Sequence, residues 1–365
     1  MPYRIAFSLI RGMGIELARQ FLDVIPDEQT FFTMSEEELC AITGSKNKIL
    51  EWQYRQGILE KAKRELDFID KNDISTTYFT DSDYPKRLLQ CVDAPLMLFG
   101  KGYANLDSQH VISIVGTRHA TIYGKGVIEE MIKGISQIFP DTVVVSGLAY
   151  GVDIAAHQAA VSNKLSTVAV LAHGLNTIYP AQHRSFAISM IKDSGMLLTD
   201  YTSQDVIHRA NFLARNRIVA GLSDCTIVVE SAVKGGAMVT ASLAMEYNRD
   251  VFAVPGRTTD PYSAGCDTLI RRNKAALYTD VDALVEAMRW EVPQDTVKKA
   301  VDASLFPDIT PDEEPIYNYI LNNGTVHINT IRSATGIAMH ELMSKLVDME
   351  FRGVIKSMPG SFYSL

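Results

Sequence analysis

The sequence predicts an α/β protein built on a doubly wound, Rossmann-like, mostly parallel sheet, with a small helical domain before it and a winged helix after it. Six short apolar runs between residues 111 and 288 alternate with helical stretches. Each run is continuously apolar and rich in β-branched residues, as strands covered on both faces of a parallel sheet require. The flanking regions have a different pattern: helical spacing before residue 72, and a helix, helix, helix, hairpin order at the end.

The chain of 365 residues is too long for one ordinary domain. Residues 1–72 form the predicted helical domain, and its glycine turns RGMG (11–14) and TGSK (43–46) are similar to helix-hairpin-helix or SAM-like turns, whose amides face a nucleic-acid phosphate. A plain helical bundle with glycine turns has the same pattern, so DNA contact in this region stays open. Residues 73–290 form the predicted sheet domain with an N-terminal extension, 291–310 a polar, proline-containing linker, and 311–365 the winged helix, with its hairpin turn at Pro359 and Gly360.

Composition excludes several classes of protein. No apolar run approaches the roughly 20 residues of a membrane span, and the first residues lack a signal-peptide layout, so we expect a cytoplasmic protein without membrane contact. The four cysteines lack CxxC spacing, which predicts neither a zinc site nor a disulfide framework, and we expect no metal or cofactor. Because the net charge is −8, a polyanion would have to be held by locally concentrated arginines and backbone donors.

One predicted helix start has the features of an anion site. Arg215, Asn216 and Arg217 stand near the beginning of a helix, where unpaired amides and the helix dipole favour negative charge and guanidinium groups suit phosphate oxygens. Phe212, one turn upstream, could stack on a base if it is exposed. The alternative is that the arginines pair with core carboxylates and Phe212 is buried.

The loops that follow the six predicted strands should lie together, because ligands of open α/β sheets bind beyond the carboxyl ends of the strands. These loops carry glycines, hydroxyl groups and several arginines, a combination suited to an extended ligand that bears phosphates. The predicted DNA-contacting residues are Gly116, Thr117, Arg118, Ser146, Gly147, Arg184, Arg209, Phe212, Arg215, Asn216, Arg217, Gly235 and Gly236.

Enzyme interpretations fit these loops less well. The turn at Gly116 lacks the GxGxxG of a dinucleotide site, and no GxxxxGK[ST] of a nucleotide triphosphatase occurs. The strongest alternative is a nucleoside-monophosphate phosphoribohydrolase of the lysine-decarboxylase-like fold, because GGAMVTA (235–241) resembles its PGGxGTxxE signature. The nearest carboxylate, Glu246, lies more than a helical turn too far along the chain to be the catalytic acid. Asp153 and His157, four residues apart, could form an acid and base pair, but an acid in a first helical turn is more typical of a dipole partner.

In the sheet domain the chain resembles the DNA-processing protein A (DprA/Smf) family. The matching motifs are the GTR turn at 116–118, SGLAYGVDIAAH, the HGL and YP pair, ARNRIVAGL, GGAMVTA, VFAVPG and GCDTLI, in this order over some 160 residues. The resemblance implies a non-enzymatic protein of natural transformation that binds and protects incoming single-stranded DNA and helps load the recombinase RecA. It also implies a homodimer formed through the sheet domain, and places the DNA pocket at Gly116, Thr117, Arg118, Arg215 and Arg217.

Three features depart from the family pattern. Tyr150 stands where SGLAKG often has a lysine, and Asn273 with Lys274 replaces a usual glycine. The predicted winged helix contains six acidic against four basic residues, although a helix that reads DNA needs the opposite sign. We therefore expect that domain to contact protein.

Overall fold

The computed structural model describes residues 1–44, 46–292, 309–358 and 360–365, and its largest feature is one sheet of nine strands. The strand order is β1-β2-β6-β5-β4-β3-β7-β8-β9. The strands are β1 (Ser75–Tyr78), β2 (Met97–Gly102), β3 (Val111–Val115), β4 (Val143–Ser146), β5 (Ser166–Val170), β6 (Gly195–Thr199), β7 (Cys225–Val228), β8 (Asp250–Ala253) and β9 (Ala276–Leu277).

The six apolar runs become the parallel strands β3 to β8, which confirms the predicted doubly wound sheet. Their residues are almost all buried, because helices cover both faces. The extension before residue 107 adds β1 and β2, which pair antiparallel at one edge next to β6. Chain order reverses at β3, which lies between β4 and β7, and this point is where a doubly wound sheet opens a crevice for ligands.

Helices of the sheet region connect these strands. They are α6 (Lys86–Leu89), α7 (Ile122–Ile138), α8 (Val152–Ser162), α9 (Arg184–Met190), α10 (Arg209–Gly221), α11 (Gly236–Glu246), α12 (Ala264–Arg271) and α13 (Val281–Met288), with a 3-10 turn at Ala181–His183. The start of α7 is capped by the Thr121 hydroxyl, which accepts from the Gly124 amide at 3.2 Å.

The predicted helical region contains α1 (Pro2–Ser8), α2 (Ile15–Val24), α3 (Glu28–Thr33), α4 (Glu36–Thr43), a 3-10 turn (Lys48–Leu50) and the long α5 (Trp52–Asn72). Arg55 of α5 is fully buried and donates to the carbonyls of Phe31, Met34 and Leu50. Burial lowers its pKa, but these carbonyls replace the water that the guanidinium has lost. Arg55 thus fixes α5 to the preceding helices, and the helical region forms one compact unit with the sheet, residues 1–291.

The second compact unit is residues 292–365. Its described elements are α14 (Glu314–Asn323), β10 (Val326–His327), α15 (Ile328–Thr335), α16 (Met339–Phe351), β11 (Lys356–Met358) and β12 (Phe362–Ser364), with the antiparallel strand order β10-β12-β11. This is the predicted helix, helix, helix, hairpin order with one added short strand; assignment as a winged helix stays a prediction. Most of the predicted linker (293–308), Ser45 of the TGSK turn and Pro359 of the hairpin turn lie outside the described residues.

Candidate nucleic-acid interface

A cleft of about 320 Å³ opens at the carboxyl edge of the sheet, between the loop after β3 and the starts of α10 and α11. Eight of the thirteen predicted contact residues line it. They are Gly116, Thr117, Arg118, Phe212, Arg215, Asn216, Gly235 and Gly236. The strand-end argument therefore brings together residues that are up to 120 positions apart in the sequence.

Glu230 holds the loop after β3 in place. This buried residue follows β7, and its carboxylate accepts from the Thr121 amide at 2.9 Å and the Thr121 hydroxyl at 2.6 Å. Its main-chain carbonyl accepts from the Thr117 amide at 2.6 Å. Because three bonds from one residue fix this loop, Arg118 stands on a rigid support.

Arg118 and Phe212 meet at the mouth of the cleft. The Arg118 side chain is exposed and its guanidinium carbon lies 5.8 Å from the centre of the Phe212 ring, within cation–π range. None of the ion pairs between described residues involves Arg118. Phe212 is half-buried and packs edge-on against Tyr179, with ring centres 5.5 Å apart. A cation available for a phosphate thus stands next to a ring that a base could reach.

Arg215 lies at the floor of the cleft, and it is only 5% exposed. One terminal nitrogen donates to the Val170 carbonyl, while Nε has no hydrogen-bond partner among the described residues. Burial lowers the pKa of Arg215, and the nearby Asp153 carboxylate opposes that shift. Burial likewise raises the pKa of Asp153, and Arg215 opposes that change. Both side chains are buried at the cleft and each favours the charged form of the other, although no ion pair among the described residues joins them.

Arg217 points elsewhere. It forms an ion pair with Asp200 and donates to the Asp93 carbonyl, and it does not line the cleft. Two residues along a helix are about 200° apart, so Arg215 and Arg217 cannot face one ligand from α10. Arg217 therefore fits the alternative that the sequence left open, in which an arginine of this motif pairs with a carboxylate.

The other four predicted residues do not line the cleft. Ser146 is buried and donates to the Ile114 carbonyl at 2.6 Å. Gly147 leaves room for the Arg215 guanidinium, since a Cβ there would lie 2.2 Å from one of its nitrogens. Arg184 and Arg209 are exposed at the starts of α9 and α10.

The beginning of α11 supplies backbone donors to the cleft. Gly235 is the N-cap and carries no side chain over the first amides, which helix geometry leaves unpaired. At Gly236 a Cβ would meet nothing within 4 Å, whereas at Gly235 it would lie 2.4 Å from the Ser231 hydroxyl. Of these two glycines, Gly236 leaves open space for a ligand, whereas at Gly235 the Ser231 hydroxyl occupies that space.

A second groove of about 620 Å³ adjoins the cleft and shares Arg118 and His119 with it. Its lining also contains Lys125, Gln158 and Tyr150. Tyr150, at the position of the frequent lysine, is 39% exposed and donates its hydroxyl to Gln182 at 2.6 Å. Aromatic and cationic side chains therefore continue beyond the cleft.

The enzymatic alternative finds little support in this geometry. Glu246 is exposed at the last position of α11 and does not line the cleft, and ten helical residues place it about 15 Å from the helix start. His157 is fully buried, with Nδ1 2.7 Å from the Thr167 hydroxyl, and burial lowers its pKa to about 3. Asp153 accepts from the Ala149 amide at 3.3 Å, and no hydrogen bond between described residues joins its side chain to that of His157. The two residues therefore do not form an acid and base pair in this structure.

Several lining residues were missed by the sequence reasoning, notably His119, Leu213, Ser231, Thr240 and Tyr262. Ser231 is the last residue of the predicted strand CTIVVES, so the strand-end argument could have found it. Tyr262 lies on the loop after β8, beyond the PGR segment, and its ring centre is 6.0 Å from that of His119. No local pattern marks a residue so far from the strand end.

Comparison with known proteins identifies the family. The model of the family described as DNA recombination-mediator protein A matches residues 75–289. The chain belongs to this family. It is 37% identical to the DNA processing protein DprA of Bacillus subtilis over 227 residues, which is 62% of this chain and 75% of that protein. It is 35% identical over 278 residues to a putative DNA processing protein DprA of Mycobacterium tuberculosis, covering 75% of this chain and 70% of the relative.

Two solved structures of DprA proteins have the same fold. The X-ray structure of DprA from Streptococcus pneumoniae superposes with a TM-score of 0.64 and 28% identity, over 78% of this chain and 97% of that chain. DprA from Helicobacter pylori, a protein with a single-stranded DNA binding mode, superposes with a TM-score of 0.54 and 28% identity, over 60% of this chain and 97% of that chain. The predicted DprA/Smf family is thereby confirmed.

Two further observations bear on the class of protein. No helix in the described ranges is long and apolar enough to span a membrane. Within the same ranges, no three His, Cys, Asp or Glu side chains come together in a way that could hold a metal ion.

Proposed function

We propose that this protein is a non-enzymatic, cytoplasmic single-stranded DNA-binding protein of natural transformation, which protects incoming strands and helps load RecA. The observation that carries the proposal is the meeting of exposed Arg118, half-buried Phe212 and the start of α11 in one cleft. Membership of a DNA recombination-mediator family supports it, as does the single-stranded DNA binding mode of the Helicobacter pylori relative.

The strand would follow the carboxyl edge of the sheet from the cleft into the adjoining groove. Arg118 would bind a phosphate, the amides at the start of α11 another, and Phe212 would stack on a base. Arg184 and Arg209 would contact phosphates outside the cleft, and Lys125 would do so in the groove. Arg215 would add positive potential from the floor, and Arg217 would position its helix.

One protomer offers few free cations for a polyanion, so we include a homodimer in the proposal, formed through the sheet domain. A second linked site makes the second contact with the same strand intramolecular, which raises affinity without a new kind of contact. The C-terminal unit, with Lys345 already engaged by Asp312 and Glu341, would contact protein.

A mobility-shift comparison tests the function. We expect the protein to retard single-stranded DNA at a lower concentration than duplex DNA of the same length, with a mononucleotide competing poorly. The opposite ranking, with the mononucleotide as the best ligand, would contradict the proposal.

A separate prediction concerns hydrolysis. Incubation with nucleoside monophosphates should release no free base, because Glu246 lies at the far end of α11 from the cleft. Chromatography of the products checks this. Release of base that disappears in Glu246→Gln would restore the phosphoribohydrolase alternative.

The Arg118→Ala variant should bind single-stranded DNA more weakly and with a smaller salt dependence. Each phosphate contact on a single strand contributes roughly 0.7 to the slope of log K against log salt, so the slope should fall by about that amount. Because Arg118 is exposed, the melting temperature should not change. Arg64→Ala, which removes an exposed arginine of α5 outside the cleft, is the matched control. An unchanged slope for Arg118→Ala would remove this residue from the interface.

A further inference from the structure

The loop at residues 200–208 connects β6 to α10 and thereby determines where the DNA-facing start of α10 lies. From Gln204 to Ala210 every residue is exposed, so little packing holds this part of the chain. At the exposed beginning of α10, His208 is the N-cap and provides no side-chain cap. The position of Arg209 and Phe212 therefore depends on how the earlier part of the loop is anchored.

That anchor is a buried acid from the helical region. Glu65 of α5 is 2% exposed and accepts from the Ser203 amide at 2.9 Å and from the Ser203 hydroxyl at 2.6 Å, one bond on each carboxylate oxygen. Next to it, the Gln204 amide group donates to the Lys61 carbonyl at 3.0 Å. No ion pair among the described residues engages Glu65, so Ser203 is the group that satisfies this buried carboxylate.

The same loop also packs against the chain segment that leads to Tyr179, the aromatic partner of Phe212. The Thr202 carbonyl packs so closely on Gly174 that a Cβ there would lie 2.2 Å away. From Gly174 the chain leads to Tyr179, whose amide donates to His173 Nε2 at 3.2 Å, and Tyr179 packs on Phe212. A shift of residues 202 and 203 would therefore move both partners of the Tyr179–Phe212 pair.

We propose that Glu65 is a positioning residue for DNA binding, through which the N-terminal helical region holds the 200–208 loop and hence Phe212 and Arg209 in their binding positions. The support for Glu65 is rigid, because Arg55 ties the same helix to three main-chain carbonyls. This role gives the helical region a part in DNA binding that needs no contact between that region and DNA. The proposal rests on the proposed single-strand function.

The test compares Glu65→Gln and Ser203→Ala, singly and together, with Glu60→Gln as the matched control. Glu60 lies on the same helix, is exposed, and pairs only with Lys63 among the described residues. We call the contact between Glu65 and Ser203 the clamp, and Glu65→Gln and Ser203→Ala the clamp variants. Each clamp variant should raise the Kd for oligo(dT) about three- to tenfold, the effect of losing about one hydrogen bond. The Kd of the double variant should not exceed that of the single variant that binds DNA more weakly, since both changes break the same contact. Glu60→Gln should bind as the wild type does.

Hydrogen exchange without DNA gives an independent readout. Amides of residues 203–211 should exchange faster in Glu65→Gln and Ser203→Ala and not in Glu60→Gln. If the wild-type protein binds no single-stranded DNA, the proposed function fails, while this exchange result still tests the clamp.

General destabilisation has its own control. Ile58→Val removes a methylene group from the buried face of α5 and should cost about 1 kcal/mol of stability without touching the clamp. It should leave the Kd unchanged. Three outcomes would overturn the positioning role. One is an equal loss of affinity in Ile58→Val, and another is additive effects in the double variant. The third is that the clamp variants melt earlier but bind DNA and exchange their amides normally.

Discussion

Replacement of Arg215 by methionine is expected to reduce the free energy of unfolding at pH 7 by about 3–5 kcal/mol, the usual cost of leaving a buried charge without the opposite charge beside it. Arg215 is 5% exposed and lies between the Val170 carbonyl and Gly147. Without it, the Asp153 carboxylate would remain buried with no cation that favours its charged form. Chemical denaturation followed by circular dichroism measures the loss.

The pH dependence of the variant provides a sharper check. Asp153 already has a pKa raised by burial, so in the folded state it holds its proton to higher pH than in the unfolded state, and this contribution to stability is lost as pH rises. Removal of Arg215 raises that pKa further. The stability deficit of Arg215→Met should therefore shrink as pH falls from 7 toward the unfolded pKa of Asp near 4.

A second substitution separates charge from packing. Asp153→Asn should restore part of the stability of Arg215→Met, because a neutral amide no longer requires the missing cation. A deficit that is independent of pH and unaffected by Asp153→Asn would show that Arg215 stabilises the fold by packing alone.

Much of the fold could be predicted because it follows from periodicity. The strands β3 to β8 are continuous apolar runs, and that pattern alone identifies buried parallel strands. The rule that ligands bind at the carboxyl edge then placed Gly116, Arg118 and Gly235 on one surface although they are remote in sequence. The antiparallel strand β2, second from the edge of the sheet, is expected from the sequence only as part of an extension, because its pairing with β6 depends on long-range contacts.

The roles of individual side chains were harder to predict. Arg215 and Arg217 belong to one motif and have the same chemistry, yet one lies buried at the cleft floor and the other pairs with Asp200. Their difference is set by helical phase and by acids that lie elsewhere in the sequence. Glu65 shows the same limit more strongly, because its partner Ser203 is 138 residues away.

The glycines illustrate a third limit. Their abundance on the strand-end loops predicts room for a ligand, but Gly116 is required by internal contacts, since a Cβ there would lie 2.5 Å from the Val152 side chain. Gly147 similarly makes space for Arg215. A glycine in such a loop indicates that another group lies close to the backbone. Only the structure shows whether that group belongs to the protein or leaves space for a ligand.

The Phe212→Ala variant is expected to bind single-stranded DNA roughly tenfold more weakly, because a stacked base is worth about 1–3 kcal/mol by alanine substitution. The ring is half-buried, packs edge-on against Tyr179 and carries Arg118 above it, so its loss also frees the Arg118 side chain. Phe212→Trp keeps an aromatic face and should retain most of the affinity. Fluorescence anisotropy with a labelled oligonucleotide measures these changes.

Stability decides whether the effect is local to the interface. Loss of the contact with Tyr179 should cost about 0.5–1.5 kcal/mol, the usual worth of an aromatic pair, well below the 3–5 kcal/mol of a fully buried Phe. Phe68→Ala is the matched control, because Phe68 is also half-buried but lies on α5 and does not line the cleft. It should lower the melting temperature without changing the Kd. If Phe212→Ala also melted early while its folded fraction bound DNA normally, Phe212 would belong to the core. The base would then have to stack on another ring, and the tyrosines available are Tyr262 in the cleft and Tyr150 in the adjoining groove.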